Sequence, residues 1–103
     1  MIRVFIDTDL MIFKMSGHAG YAPAGTDIVC AAATMLASTL IQTITKKLNP
    51  SEVLECRLDS GYAQLKVSPI KRKVRSECRV VFAAILEGFE LLAARYPDNI
   101  IID

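Results

Sequence analysis

Apolar and polar residues alternate near the start of the chain, and an alternation with a period of two predicts β-strands. In residues 2–7, "IRVFID", the side chains of Ile2, Val4 and Ile6 fall on one face. Residues 10–16 continue as a second strand after the short "DTD" turn. The first sixteen residues therefore predict a β-hairpin.

The same alternation returns in "VLECRLDSGYAQLKVS", which predicts a second hairpin with its turn at Asp59 to Gly61. Cys56 fits a core position in the first of these strands, because it alternates with polar neighbours. A short final strand, "NIIID", closes the chain. The residues predicted to share a face within each strand are Leu54, Cys56 and Leu58, and Ala63, Leu65 and Val67.

Two longer segments repeat at helical spacing instead. The first helix is predicted from about residue 27 to 47, before Pro50, and the second from about 70 to 96, before Pro97. The apolar residues of the first helix cover more than one narrow stripe, so we expect one face to meet a sheet and another to meet a second subunit. They are Ile28, Met35, Leu36, Leu40, Ile41 and Ile44.

The predicted order β-β-α-β-β-α-β places a hairpin before each helix. This order implies an α+β fold, a two-layer sandwich in which two long helices cover a largely antiparallel sheet. The chain shows no linker, repeat or low-complexity tract, so residues 1–103 are predicted to form a single domain.

The first predicted helix contains eighteen consecutive residues without a charge, which is near the lower length limit for a membrane span. Six of them are Thr, Ser or Gln and several others are Ala, so we interpret the segment as a buried helix. No secretory signal is visible, and the odd, widely spaced cysteines indicate thiols in a reducing cytoplasm. They have no zinc-ligand spacing, and we expect neither metal nor cofactor.

A net charge of +1 does not indicate a protein that binds nucleic acid through its overall field. The best sign of an acidic partner is "KRKVR" at residues 71–75, near the predicted start of the second helix. This cluster lacks interleaved aromatic residues, so a solvated helix end is the favoured interpretation. Direct binding of nucleic acid is therefore not expected.

Candidate chemistry lies in "GHAGYAPAGTDIVCAAAT", at residues 17–34, which holds the single histidine, His18, and the first cysteine, Cys30. Thr26 or Asp27 is the expected N-cap of the first helix, and either choice puts Cys30 in the first turn. Unpaired N–H groups there favour a thiolate and are expected to be able to bind the oxyanion of an acyl-transfer intermediate. A small buried cysteine and a structural histidine are the alternative interpretation of the same two residues.

This stretch resembles the signature of the ribosomal-processing cysteine protease family, Prp, in which G-H-A is followed by a glycine-containing loop and G-x-D-I-V-C-A. The matching segments here are Gly17 to Ala19, then Gly25 and Asp27 to Ala31. Thr34 stands where many relatives have serine, which preserves the hydroxyl. The family's length and its two hairpins, each followed by a helix, agree with the whole chain.

The resemblance implies that His18 and Cys30 form a catalytic dyad and that the substrate is the precursor of large-subunit ribosomal protein twenty-seven, which loses a short N-terminal extension. A non-enzymatic module that binds ribosomal protein or RNA is the competing hypothesis. Residues 19–25, including Gly20, Tyr21 and Gly25, are expected to form a flexible substrate loop that only Tyr21 can anchor.

Overall fold

A computed structural model describes residues 1–103, and its elements follow the predicted order. A single 3₁₀ turn at Pro50–Glu52 is an addition that the sequence pattern did not predict. The strands are β1 (Ile2–Asp7), β2 (Ile12–Ser16), β3 (Val53–Asp59), β4 (Tyr62–Val67) and β5 (Ile100–Ile102), and the helices are α1 (Ile28–Thr45) and α2 (Arg72–Arg95).

The five strands form one sheet in the order β3-β4-β2-β1-β5. Every neighbouring pair is antiparallel except β1 and β5, which run parallel with Ile2 opposite Ile100 and Val4 opposite Ile102. The parallel pair is reached through α2, the kind of crossover that parallel neighbours require. The predicted α+β class and the largely antiparallel sheet are thus confirmed.

The core lies between one face of the sheet and both helices. α1 contributes a stripe with helical spacing, and Phe89 of α2 stacks on Phe13 of β2 with ring centroids 5.7 Å apart. Truncating either ring would cost about 3–5 kcal/mol, because the layers could not collapse fully into the cavity. The buried stripes are Val29, Ala33, Ala37, Leu40 and Ile44 on α1, and Cys78, Phe82, Ile85 and Phe89 on α2.

Strand β3 corrects one sequence prediction. Cys56 is exposed rather than in the core, and its neighbours Leu54 and Leu58 are also exposed. The cause is the position of β3: it is the edge strand that the helices leave uncovered, and the fully buried strand residues all come from the other four strands. Alternation identified the strand correctly but did not show that the helical layer stops short of it.

Helix α1 is long and apolar enough to cross a membrane by length and composition, a test that core helices also pass. Here its buried stripe packs on the sheet and on α2. The remaining apolar residues of α1 lie outside this stripe, as expected from the width of the apolar pattern. Leu36 and Ile41 are half-buried, whereas Ile28 and Met35 are exposed. An apolar surface therefore remains on the outer side of the helix.

Candidate active site

Cys30 lies in the first turn of α1, and Asp27 is the residue that caps this helix. Asp27 Oδ1 accepts hydrogen bonds from the N–H groups of Val29, at 3.0 Å, and Cys30, at 2.9 Å. The backbone carbonyl of Asp27 accepts from the N–H of Ala31. The cap therefore fixes the backbone on both sides of the cysteine.

The second carboxylate oxygen of Asp27 holds the preceding loop. Oδ2 accepts from the N–H groups of Tyr21, at 2.9 Å, and Ala22, at 3.1 Å. The side chain is buried, and the hydrogen bonds, foremost that of the Cys30 N–H, lower the pKa of Asp27 below its ordinary value. Asp27 is consequently an ionised clamp between the loop and the helix.

This arrangement bears on the expectation that the first-turn N–H groups bind an oxyanion, which stays a prediction. Those of Val29, Cys30 and Ala31 already donate to Asp27. One other N–H reaches the sulfur: Ala19 donates to Cys30 Sγ at 3.3 Å. The donor that contacts the sulfur therefore belongs to the loop.

Thr26 supports the loop rather than capping the helix. Its hydroxyl and its N–H both donate to the carbonyl of Pro23, at 2.8 and 3.0 Å, and close a turn just before Asp27. Gly20 and Gly25 adopt left-handed backbone conformations on either side of this turn.

The loop has more anchors than the sequence indicated. The Tyr21 ring packs edge-on against Tyr96, with centroids 5.4 Å apart. Ala19 is buried, and its carbonyl accepts from the side-chain amide of Asn99 at 3.0 Å. The expectation that only Tyr21 could anchor residues 19–25 is therefore wrong, while movement of the loop on substrate binding stays a prediction.

His18 is positioned by glycine in the β3–β4 turn. Gly61 has φ of 75°, and a Cβ atom there would lie 2.7 Å from His18 Nε2, closer than any ordinary contact. The carbonyl of Gly61 also accepts from the Gly17 N–H at 3.0 Å. The imidazole therefore lies directly on the backbone of a turn that only glycine allows.

His18 and Cys30 line the same open cleft, whose volume is about 700 Å³. Thr34 and Met35 of α1 form one wall, and Leu58 of β3 contributes to the other. No hydrogen bond joins the imidazole to Cys30 Sγ, whose one partner is the Ala19 N–H. Their shared cleft brings a base and a thiol to the same solvent-accessible space, as cysteine chemistry requires.

The remaining cysteines stand outside this cleft. Burial raises the pKa of the Cys78 thiol, which keeps it protonated at neutral pH and unsuited to nucleophilic attack. Cys56 is on the outer edge of the sheet. No group of three or more His, Cys, Asp or Glu side chains is arranged to hold a metal ion.

The basic cluster at residues 71–75 lies at the opposite end of the molecule. The ion pair between Lys47 and Glu77 brings the start of α2 beside the end of α1, whereas Cys30 is at the start of α1. At 1.5 Å per residue, the length of α1 separates the two ends by about 27 Å. The cluster therefore takes no part in the cleft.

Comparison with known proteins assigns this chain to a family. The family model described as "Cysteine protease Prp" matches residues 1–101, which is nearly the whole chain. The chain belongs to the cysteine protease Prp family.

Relatives of Prp agree with this assignment. The ribosomal processing cysteine protease Prp of Bacillus subtilis is 24% identical over 100 residues, which cover 96% of this chain and 89% of that protein. The fold matches a crystal structure of S. aureus Prp with a covalently linked product peptide, with a TM-score of 0.77 and 19% identity over 99% of this chain and 95% of that one. It also matches S. aureus Prp with a substrate peptide, with a TM-score of 0.74 and 19% identity over 100% of this chain and 98% of that one. SMU.848 from Streptococcus mutans also matches, with a TM-score of 0.69 and 25% identity over 99% and 90% of the chains.

Two residues that contact the His18 loop beside the cleft were not predicted from the sequence. Gly61 gave a signal only as a turn glycine, and nothing in the local pattern placed that turn beside His18. Asn99 is 80 residues from its hydrogen-bond partner in the loop. Both contacts follow from the order of strands in the sheet, which local periodicity does not determine.

Replacing Asp27 by Asn tests the clamp. One amide oxygen cannot serve both pairs of N–H groups, so the variant should have a lower Tm at pH 7. Because folding lowers the pKa of Asp27, its contribution is complete above the unfolded-state pKa and is lost as the pH falls through the folded-state value. The difference in Tm between wild type and variant should therefore narrow on acidification from pH 5 to pH 2.

Asp98→Asn is the matched control, since Asp98 is exposed and its substitution should leave the Tm unchanged at each pH. A Tm difference for Asp27→Asn that stays constant from pH 5 to pH 2 would contradict the role of an ionised clamp.

Proposed function

We propose that this protein is an endopeptidase of ribosome maturation that removes the short N-terminal extension of large-subunit ribosomal protein twenty-seven. Cys30 is the nucleophile and His18 is the general base. The observation that carries the proposal is the shared cleft of these two side chains in a chain that belongs to the cysteine protease Prp family.

In the first half of the reaction, His18 accepts the thiol proton and the thiolate attacks the scissile carbonyl carbon. The tetrahedral intermediate then collapses, and His18 returns the proton to the leaving amine. The amine is the new N-terminus of the mature ribosomal protein, so the extension remains on Cys30 as a thioester.

In the second half, His18 accepts a proton from a water molecule as its oxygen attacks the thioester. The C–S bond breaks, the extension leaves with a new carboxylate, and the thiol regains its proton. The chemistry needs no cofactor, because the histidine, the thiol and water supply every proton and electron pair.

The choice of substrate is supported by the relatives. The B. subtilis protein carries the name of a ribosomal processing protease, and the S. aureus structures hold a substrate peptide and a product peptide. An open cleft suits an extended chain, and the exposed side chains of Met35 and Leu58 offer apolar contacts on its two sides. The proposed substrate is made in the cytoplasm, which is where we place the enzyme.

The outer faces of the helices support a homodimer. A groove between α1 and α2 is lined mainly by apolar residues, and its rim includes Met35, 65% exposed, and Leu91, 73% exposed. Side chains of this size in one continuous patch are typical of an interface. We propose that a second copy covers this groove, so that the helices form the contact between subunits.

The dyad is tested by incubating the extended precursor with variants. Cys30→Ser and His18→Ala should each lower cleavage by about 10³-fold or more, because each removes one partner of the proton transfer. Cys56→Ser should cleave at the wild-type rate, and Cys78→Ser should do so per folded molecule. Mass spectrometry of the products measures the effect.

Two outcomes would count against the enzyme. A precursor that forms a complex with the wild-type protein but is never shortened would favour the non-enzymatic binding module. Cleavage retained by Cys30→Ser would remove Cys30 from the role of nucleophile.

Gly61→Ala tests whether the contact with Gly61 positions His18. The added methyl group would overlap the imidazole, so kcat/KM for the extension peptide should fall by about tenfold or more, the cost of misplacing a base. Gly25→Ala is the control for backbone strain, since Gly25 has φ of 87° and open space where a Cβ would lie. Its Tm should fall comparably, with a smaller loss of cleavage; equal losses of cleavage would show that strain alone is responsible.

Light scattering tests the dimer. The wild-type protein should have about twice the 11.3 kDa mass of one chain at micromolar concentration. Leu91→Glu should return the monomer mass, because a charge in the groove cannot be desolvated cheaply. Leu10→Glu, at a residue 64% exposed in the β1–β2 turn, should leave the dimer intact. A wild-type mass of 11.3 kDa would contradict the proposal.

A further inference from the structure

Two hydrogen bonds connect the far end of the chain to the cysteine. Asn99, in the connection between α2 and β5, donates its side-chain Nδ2–H to the carbonyl of Ala19 at 3.0 Å. Ala19 in turn donates its N–H to Cys30 Sγ at 3.3 Å. A single buried residue of the loop therefore joins Asn99 to the sulfur.

The hydrogen bonds of Asp27 make the Ala19 N–H important as a donor to the sulfur. The helix donors nearest the cysteine are occupied by that carboxylate, whose own negative charge opposes a second negative charge on the sulfur. A thiolate at Cys30 is therefore stabilised chiefly by donors outside the helix. The Ala19 N–H is the donor that reaches the sulfur in this structure.

The backbone of Asn99 is fixed independently of its side chain. Its N–H donates to the carbonyl of Tyr96 at 3.0 Å, and its carbonyl accepts from the N–H of Ile2 at 2.9 Å. The side-chain amide is thus held at a defined place and contributes nothing to the local backbone pairing. Loss of that amide would release Ala19 while leaving the connection in place.

We propose that Asn99 is a positioning residue of the active site, which holds the Ala19 N–H against Cys30 Sγ and so maintains the thiolate. This inference rests on the proposed function only in taking Cys30 as the nucleophile. Asn99 touches neither the sulfur nor the substrate, and acts through the loop backbone. The titratable groups that line the cleft with Cys30 are His18 on the loop, Asp27 at the start of α1 and Asp59 at the end of β3, and the N-terminal ammonium of Met1 donates to the carbonyl of His18.

The test is the rate at which iodoacetamide alkylates Cys30 in the full chain, followed by peptide mass spectrometry from pH 5 to pH 10. The exposed Cys56 of the same molecule is the internal reference. In Asn99→Ala the Cys30 rate at pH 7 should fall about threefold to tenfold, because one hydrogen bond to the thiolate is weakened. At pH 10 the rates in the two proteins should agree within about twofold, because alkaline solution supplies thiolate without help from the hydrogen bond.

Two further variants sharpen the result. Asn99→Asp keeps the shape but faces the Ala19 carbonyl with a carboxylate, so its rate at pH 7 should fall at least as far, and it replaces Asn99→Ala if that variant does not fold. Asp98→Ala, at the exposed neighbouring residue, should leave the Cys30 rate unchanged. The rate of Cys56 should be the same in every variant.

A Cys30 rate at pH 7 within twofold of wild type in both Asn99 variants would overturn the proposal, and so would equal losses at pH 7 and pH 10. Failure of the proposed function gives a different result. In that case wild-type Cys30 would react no faster at pH 7 than Cys56, and the precursor would not be cleaved.

Discussion

The carboxylate of Asp27 is the interaction on which the rest of the site depends. Its two oxygens accept four backbone N–H groups, two from the first turn of α1 and two from the loop that carries His18. A neutral or shorter side chain could cap the helix, but it could not also hold the loop. The cysteine and the histidine come from segments of different structure, and this one ion ties the helix start to the loop. Its low pKa means that the connection persists throughout the neutral range.

The clamp also has a chemical cost, since it occupies the donors that make a helix start attractive for a thiolate. A carboxylate beside the nucleophile stabilises the fold and disfavours a second negative charge in the same turn. The N–H that donates to the sulfur is that of Ala19, which comes from the loop. The loop therefore contacts Cys30 directly as well as carrying His18. Asn99 contacts this loop at Ala19, and Tyr96 contacts it at Tyr21.

The features that depend on residues close together in the sequence were predicted correctly. Alternation identified both hairpins, helical spacing and prolines bounded both helices, and "TDIVC" placed a cap directly before Cys30. The errors share a cause: Cys56 was given a core position, Gly61 was given only a place in a turn and Asn99 was given no role in the site, because each of these roles depends on which strands are neighbours. An alternating strand looks the same at the edge of a sheet as at its centre, and only the order β3-β4-β2-β1-β5 shows that β3 is uncovered. The resemblance to a family supplied the dyad, but it did not reveal what holds the dyad in place.

The single parallel pair in the sheet explains how the end of the chain reaches the cleft. β5 pairs with β1 in the same direction, with Ile100 opposite Ile2, so the connection that precedes β5 lies at the end of the sheet where β1 begins. The same end carries the close of β2, from which the His18 loop departs. An antiparallel β5 would begin at the other end of the sheet and would leave Asn99 beside the β1–β2 turn. The long crossover through α2 is thus the topological condition for the contact between Asn99 and Ala19. Pairing of β5 with β1 therefore places Asn99 beside the loop that carries His18.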